Sequence, residues 1–193
     1  MTLASAPSKY YDVITTFDAN GGSVNPTTVK STAYYPFSGW KASNGTIYGA
    51  GDIYTANEPT TMTAQWGAAT GGSSISFPTP TRNGYTFVGW YYNGSPYTNH
   101  SPTTSKTLTA QWKPNQYTIT YDANGGTGYM EPDIVIYMSD FITKPNLFER
   151  EGYIFNGWID SLGNEWTLNS NGVYESGKGP WAWEYTENIT LYA

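Results

Sequence analysis

The sequence predicts a mainly β protein built from small modules in tandem, with little or no helix. Residues 17–22 (FDANGG) return almost unchanged as residues 121–126 (YDANGG). An aromatic-x-Gly-Trp stretch occurs three times, and Trp40 and Trp90 are 50 residues apart, a spacing typical of repeated structural units. The 193 residues include 18 Tyr, 8 Trp and 21 Gly but only 12% charged residues, which suits pleated strands joined by tight turns.

The first module is predicted over residues 10–66, after an N-terminal arm of residues 1–9. Val13, Thr15 and Phe17 occupy alternate positions, as in a half-buried strand, and the Asn-Gly-Gly that follows supplies the positive φ angles of a tight hairpin. Further strands are expected over residues 27–32, 37–40, 47–48, 53–54 and 62–66. These short strands leave almost no room for a helix.

The second module is predicted over residues 67–112, with its Gly-Trp strand at residues 85–90 and its closing strand at residues 108–112. Its beginning departs from the pattern. One period beyond residues 13–17 lies the segment 63–67, which already closes the first module. The second module therefore either lacks a first strand or shares strand 62–66, and we expect sharing or direct abutment.

A linker at residues 113–116 precedes the third module, predicted over residues 117–193. Its opening strand alternates at every position from residue 117 to residue 121. The distance from Gly126 to Trp158 is 32 residues, against 18 from Gly22 to Trp40, so this module carries insertions. One insertion contains a predicted second strand at residues 134–137.

Large aromatic residues are the expected core of these modules. A unit of about fifty residues buries little surface, and the chain has no Cys to crosslink it. One large ring per strand fills a thin core efficiently, since each ring buries on the order of 150–250 Å². The predicted core residues are Phe37, Trp40, Trp66, Phe87, Trp90, Trp112, Phe155 and Trp158.

Charge and composition exclude several classes of partner. The net charge of −6 argues against nucleic acid, whose phosphates require a basic surface. The acids concentrate in residues 117–193, which hold eleven acids and three bases. No apolar run approaches membrane-spanning length, so no membrane insertion is expected. Residues 1–9 lack the basic and apolar regions of a secretory signal, which raises the expectation of a virion component.

Three motifs occur together and in order. They are Tyr-x-Ile/Val-x-Tyr/Phe-Asp-Ala-Asn-Gly-Gly, the GYTFVGWY of residues 84–91, and the TLTAQW of residues 107–112. The pattern resembles the Listeria/Bacteroides surface repeat, also called the internalin B-repeat, in three copies. The resemblance implies β-grasp-like modules of bacterial cell-surface and secreted proteins, and of phage structural proteins. It also implies non-catalytic spacers or adhesion modules, with no catalytic residue to assign.

No catalytic, metal or cofactor site is predicted from the residues themselves. His100 lies in a turn-rich stretch without an evident base or metal partner. Asp18 and Asp122 faintly resemble the start of a calcium loop, but the remaining oxygen ligands of such a loop are missing. We expect these two carboxylates to cap their own hairpin turns.

Four aromatic residues of the third module are the candidate binding residues for a protein or a glycan. Trp166, Trp181, Trp183 and Tyr185 lie in segments that the other modules lack. If exposed, such rings could stack on sugars or anchor a protein. The alternative is that they cover an end or an edge of the array.

The sequence thus predicts a non-enzymatic protein for structural display or adhesion, located outside the cell. Its setting is either a bacterial surface or a phage virion, as a head decoration or tail component. The alternative function is a carbohydrate-binding module that recognises host or cell-wall glycans.

Overall fold

A computed structural model describes residues 1–55, 60–71, 73–168, 174–176 and 182–193. These parts are all β, with three sheets and no helix, which confirms the predicted fold class. The strands are β1 Lys9–Asp18, β2 Thr28–Tyr35, β3 Phe37–Ala42, β4 Ile47–Tyr48, β5 Met62–Trp66, β6 Thr70–Gly71, β7 Tyr85–Tyr92, β8 Ser95–Pro96, β9 Lys106–Pro114, β10 Gln116–Asp122, β11 Asp133–Ile136, β12 Trp158–Asp160, β13 Glu165–Leu168, β14 Tyr174–Ser176 and β15 Ile189–Tyr192.

The chain divides into two compact units. The first comprises residues 1–80 and 89–111, and the second comprises residues 81–88 and 112–193. The three-module boundaries drawn from the sequence stay a prediction. Within the described ranges, no helix has the length and apolar character needed to cross a membrane.

One six-stranded sheet has the order β6-β2-β1-β9-β7-β8. β1 and β2 form an antiparallel hairpin, in which Val13 lies opposite Ser31. β1 also runs parallel to β9, with Phe17 opposite Leu108, and both side chains are buried. The alternation seen in the sequence therefore faces Val13, Thr15 and Phe17 inward.

A separate three-stranded sheet, in the order β4-β3-β5, comes from the segment between β2 and β6. At its base the Gly67 amide donates to the carbonyl of Pro36 at 2.8 Å, and Tyr34 lies opposite Thr70 in the neighbouring sheet. The N-terminal arm joins this part of the chain, because the Trp40 indole donates to the carbonyl of Ala4 at 2.7 Å.

These pairings give the second predicted module a first strand that the sequence did not indicate. Strand 62–66, considered as a shared strand, is β5 and pairs with β3. The place beside the closing strand β9 is taken by β1, from the first predicted module. Because β1 is a parallel partner from a distant part of the chain, no local sequence signal indicates it. The sequence pattern therefore pointed to strand 62–66, which is close to the second module in the chain.

The second unit is built on a sheet in the order β11-β10-β15-β12-β13-β14. β10 pairs antiparallel with β11, the second strand predicted at residues 134–137, and parallel with β15. One core cluster fills this unit: Ile119, Met130, Val135, Trp158, Trp166, Trp183, Ile189 and Leu191.

The two Asp-Ala-Asn-Gly-Gly turns have the same geometry. Asp18 accepts a hydrogen bond from the Asn20 amide at 2.9 Å, and Asp122 accepts one from the Asn124 amide at 2.7 Å. Asn20 and Asn124 have φ angles of 48° and 46°, which asparagine tolerates better than most residues. The prediction that both carboxylates cap their own turns is confirmed.

Candidate functional site

The carboxylate of Asp160 is buried in the third module, within hydrogen-bond distance of Trp166 and Tyr185. Asp160 is the last residue of β12, and its side chain is 2% exposed. One carboxylate oxygen accepts hydrogen bonds from the amides of Leu162 and Asn164, at 3.0 and 2.9 Å. The other accepts from the Trp166 indole at 3.1 Å and the Tyr185 hydroxyl at 2.8 Å. The Asn164 side-chain amide adds a further donor at 2.9 Å.

This network sets the charge of Asp160. Burial alone would raise the pKa of the carboxyl, but the hydrogen bonds from Asn164, Trp166 and Tyr185 outweigh it and hold the pKa below its ordinary value. Asp160 is therefore ionised at neutral pH. A carboxylate whose acceptor positions are filled by its own chain is an anchor for the β12–β13 turn, not an acid, base or nucleophile for a substrate.

The structure brings three of the four candidate aromatic residues together. The Trp166 and Tyr185 rings stack with their centroids 6.2 Å apart, and the Trp183 and Tyr185 centroids are 4.8 Å apart. Trp166 and Trp183 are only 4% and 2% exposed, and Tyr185 is half-buried. This burial supports the packing alternative for the two indoles. Trp181 lies outside the described residues.

The eight predicted core residues differ in burial. Trp90 and Trp158 are buried, and the other six are half-buried: Phe37, Trp40, Trp66, Phe87, Trp112 and Phe155. In the first unit the Trp90 ring meets Phe17 at 4.8 Å. In the second unit Trp158 contacts Phe155 at 4.9 Å and Tyr121 at 5.2 Å. One Gly-Trp motif thus supplies a buried indole to each unit: Trp90 in the first unit and Trp158 in the second.

A groove of about 840 Å³ lies in the second unit, beside the Asn-Gly-Gly turn of the third module. Its lining comes mainly from residues 123–127, 148–151 and 153–157, together with Ala193. The Arg150 guanidinium donates to the carbonyl of Asn124 at 2.9 Å and lies 4.2 Å from the ring centre of Tyr153. The next side chain, Ile154, is 95% exposed. The groove is therefore lined by apolar side chains such as Ile154 and by charged side chains such as Glu149 and Arg150.

The first unit presents an aromatic surface that the sequence analysis did not single out. Tyr10 is 70% exposed and its ring centroid is 5.9 Å from that of Tyr34, its partner across β1 and β2. Asp12 and Lys30 form an ion pair at 2.8 Å. Tyr10, Asp12 and Ile14 share the outer face because Val13 and Phe17 face inward. The same alternation, extended back to Tyr10, was the signal that could have found this surface.

His100 lies against other groups of the first unit. Its ring stacks on Phe77 with centroids 4.1 Å apart, and Nδ1 is 2.8 Å from the carbonyl oxygen of Ile75. In the parts of the chain that the structure describes, no three acidic or histidine side chains are grouped so as to hold a metal ion. The features that the described residues provide are surfaces of aromatic rings and a groove, and not a group of side chains arranged for catalysis.

Comparison with known proteins identifies one family. The model of the Listeria-Bacteroides repeat domain matches residues 53–111 and 117–193. Internalin H of Listeria monocytogenes is 36% identical over 128 residues, which cover 62% of this chain and 21% of that protein. A protein of Evansella cellulosilytica, whose name describes a Gly-rich membrane protein, is 30% identical over 171 residues, covering 72% of this chain and 19% of its own.

The chain spans about a fifth of the length of these relatives. A second Evansella cellulosilytica protein, named for a membrane location, is 31% identical over 130 residues. No solved structure matches the chain.

Proposed function

The chain belongs to the Listeria-Bacteroides repeat family, and on that premise we propose that it is a non-catalytic array of β modules exposed on the outside of a cell or particle. Its role is to display, space or attach a binding surface. The observation that carries this proposal is that tryptophan side chains are buried as packing groups of the modules. Trp90, Trp158, Trp166 and Trp183 are buried within the modules and do not line a polar cleft.

The acidic residues of the second unit support a non-catalytic role. Asp160 is buried, and its own chain supplies its hydrogen-bond donors. Asp133 accepts a hydrogen bond from Tyr121 at 2.7 Å and pairs with Lys144 at 2.7 Å. Glycoside hydrolysis needs two carboxylates facing one substrate bond, and these two are committed to structural contacts.

The outer face of the β1–β2 hairpin supports adhesion as part of the role. Exposed tyrosines offer flat, amphipathic rings at low entropic cost, and such residues are enriched where proteins bind partners. Tyr10, which is 70% exposed, and the half-buried Tyr34 lie side by side there, with the Asp12–Lys30 ion pair on the same face. A partner with exposed apolar or sugar surface fits this face.

The names of the relatives favour a bacterial surface over a virion as the setting. One relative is named internalin H, and two are named as membrane proteins. Fractionation of the source organism with an antibody against this chain tests the setting. Recovery with the cell envelope is expected. Recovery with sedimenting phage particles, and not with the envelope, would instead establish the virion setting.

Adhesion is tested by coating beads with the full chain and measuring their retention on surfaces of candidate host cells. The double variant Tyr10→Ser with Tyr34→Ser is expected to lose most of the retention. Tyr129→Ser is the matched control, because Tyr129 is 67% exposed but lies in the second unit. Equal loss in both variants, or retention unaffected by either, would contradict adhesion through this face.

A carbohydrate-binding module is the second candidate function, favoured by the same Tyr10 and Tyr34 rings. Aromatic rings lying side by side on a sheet suit stacking against sugar rings. Titration of wall and host polysaccharides, followed by calorimetry, separates the two candidates. Saturable binding that Tyr10→Ser abolishes would favour the glycan function, and the absence of binding across the panel would leave a protein partner.

A further inference from the structure

The part of the chain that forms the three-stranded sheet holds residues 2–9 in the manner of a bound peptide. The Leu3 amide donates to the carbonyl of Asp52 at 3.0 Å, and the Leu3 carbonyl accepts from the Gly51 amide at 2.8 Å. The Leu3 side chain is buried. Residues 2–9 are therefore attached at this end by backbone hydrogen bonds and by one aliphatic side chain.

Two indoles of the three-stranded sheet bind carbonyl groups further along this segment. The Trp40 indole donates to the Ala4 carbonyl at 2.7 Å, and the Trp66 indole donates to the Pro7 carbonyl at 3.4 Å. The Lys9 ammonium lies 3.4 Å from the centre of the Trp66 ring. The two acceptors are three residues apart, which is the repeat of a polyproline II helix. Surfaces lined by aromatic rings bind proline-containing peptides in this conformation.

The second repeat has a corresponding site that is filled from within its own module. The Trp90 indole, in the motif position of Trp40, donates to the Pro78 carbonyl at 2.9 Å. The Ile75 amide donates to the His100 carbonyl at 2.8 Å, and the Ile75 side chain is buried. Both repeats therefore place a segment with a buried aliphatic side chain against the Gly-Trp strand, and that segment supplies a carbonyl to the indole.

The two sites differ in the origin of the bound segment. In the second repeat, residues 75–78 lie a few positions before β7. In the first repeat, the β1–β2 hairpin separates residues 2–9 from β3. Leu3 is the one fully buried side chain of residues 2–9. A site that holds a distant segment through a few hydrogen bonds and one buried side chain can also hold a matching segment of another molecule.

We propose that the Trp40 and Trp66 face of the three-stranded sheet is a recognition site for an extended segment of a partner protein, and that residues 2–9 fill this site in cis. The partner segment carries an aliphatic residue, a proline four positions later, and a lysine or arginine two positions after the proline. Its aliphatic side chain takes the place of Leu3, its carbonyls accept from the two indoles, and its cation lies over the Trp66 ring. A second copy of this chain is a weaker candidate, because its own residues 2–9 are held by its own site at a high effective concentration.

The test uses an emptied variant, in which residues 2–8 of the full chain are replaced by Gly and Ser. The probe is the acetylated peptide Thr-Leu-Ala-Ser-Ala-Pro-Ser-Lys, the sequence of residues 2–9. NMR follows the indole N–H signals of Trp40 and Trp66 during titration. We expect saturable shifts of both signals, and roughly tenfold weaker binding to the unmodified chain, whose own segment competes. Absence of saturable binding to the emptied variant, or equal binding to the unmodified chain, would overturn the proposal.

Two variants of the peptide test which of its groups are recognised. Leu3→Ser removes the side chain that becomes buried, so binding should weaken roughly tenfold or more. Ser5→Ala is the matched control, because Ser5 is exposed and its hydroxyl donates within the segment, to the Ala6 carbonyl. The control peptide should bind as the original does. Equal affinity of the two variant peptides would mean that the segment is not recognised in the way the structure shows.

A second variant of the full chain, Leu3→Ser, keeps residues 2–9 and weakens their attachment. It should bind the free peptide more tightly than the unmodified chain and less tightly than the emptied variant. Binding no tighter than that of the unmodified chain would contradict occupancy of the site in cis. Sedimentation equilibrium of the emptied variant mixed with the unmodified chain tests a second copy as the occupant. A mixed dimer as tight as the peptide complex would overturn the assignment to a partner protein.

Discussion

Phe17 lies opposite Leu108 in a parallel strand pair, and Tyr121 lies opposite Leu191 in the same arrangement. In both cases the strand that precedes an Asp-Ala-Asn-Gly-Gly turn runs beside a Thr-Leu-x-Ala closing strand. Phe17 and Leu108 are buried, and the Phe17 ring packs on Trp90. The first strand of the chain therefore completes the sheet of the second predicted module, and the β3–β5 sheet is a side element between β2 and β6.

This arrangement predicts that the side element can be removed. Tyr34 lies opposite Thr70, and the Gly67 amide donates to the carbonyl of Pro36, so the ends of the segment already meet. Replacing residues 37–66 by Gly-Ser in the full chain should leave β1, β2, β7 and β9 folded. Cooperative thermal unfolding with retained β-type circular dichroism is the expected result.

The matched control is the isolated fragment 67–116, which contains β7 and β9 but not β1. It should fail to unfold cooperatively, because β9 loses its parallel neighbour β1, and Leu108 and Trp90 lose their contacts with Phe17. Cooperative unfolding of this fragment alone would show that the second module is complete without β1.

The Gly39→Ala substitution should destabilise the three-stranded sheet. Gly39 has a φ angle of 150°, and a Cβ at this position would lie 2.7 Å from the carbonyl oxygen of Tyr48. We expect a loss of roughly 1–3 kcal/mol, the usual cost of a strained backbone conformation. Urea unfolding followed by Trp fluorescence measures the loss.

Gly49→Ala is the matched control for this substitution. A Cβ on Gly49 would meet only the Asp52 carboxylate, at 3.5 Å, which is ordinary contact. Its unfolding midpoint should stay close to that of the unmodified chain. Equal effects of the two substitutions would mean that the close approach to Tyr48 is not what limits position 39.

Asp160→Asn should destabilise the second unit. The substitution turns one acceptor oxygen into a donor amide that faces the donors of Trp166, Tyr185 or the Leu162 amide. Leaving such buried groups unsatisfied costs on the order of 1–3 kcal/mol each. The exposed substitution Glu187→Gln is the control and should have little effect on urea unfolding. An unchanged midpoint for Asp160→Asn would show that the network contributes nothing to stability.

The same carboxylate predicts a pH dependence. The pKa of Asp160 is lower in the folded than in the unfolded chain. Its ionised form therefore adds to the free energy of unfolding, and this contribution is present in full above the unfolded pKa of about 4. That contribution is lost as the pH falls through the lower, folded pKa. The stability difference between the unmodified chain and Asp160→Asn should therefore shrink as the pH falls below about 4. A difference that stays constant down to the acid transition would contradict this assignment.

We expect Tyr121 to make the stability of the second unit fall as the pH rises in the alkaline range. Burial raises the pKa of its hydroxyl, and the hydrogen bond that it donates to Asp133 raises the pKa further. The contribution of the protonated hydroxyl to the free energy of unfolding is present below the ordinary tyrosine pKa of about 10. It is lost as the pH rises through the folded pKa. The unmodified chain has one tyrosine more than Tyr121→Phe, but the two should show the same number of tyrosines ionising near pH 10, as followed by tyrosinate absorbance.

Local sequence signals predicted much of this molecule. Alternation identified β1 and β10, and the Asn-Gly-Gly turns were recognised from their residue types. The Gly-Trp strands of the first two copies were located as well, but in the third copy only Trp158 of the motif lies in a strand. Burial of Trp166 and Trp183 was not predictable in the same way, because their segment has no counterpart in the other repeats. The anchoring of this segment on Asp160 depends on contacts between residues that are distant in the chain.

The β class, the repeat family and the places where strands turn follow from the sequence, since these depend on residue type and spacing over a few positions. The tertiary structure alone decided which strands pair. Leu108 of β9 lies beside Phe17 of β1, whereas strand 62–66 pairs with β3, because parallel pairing requires two buried faces to fit across a long connection.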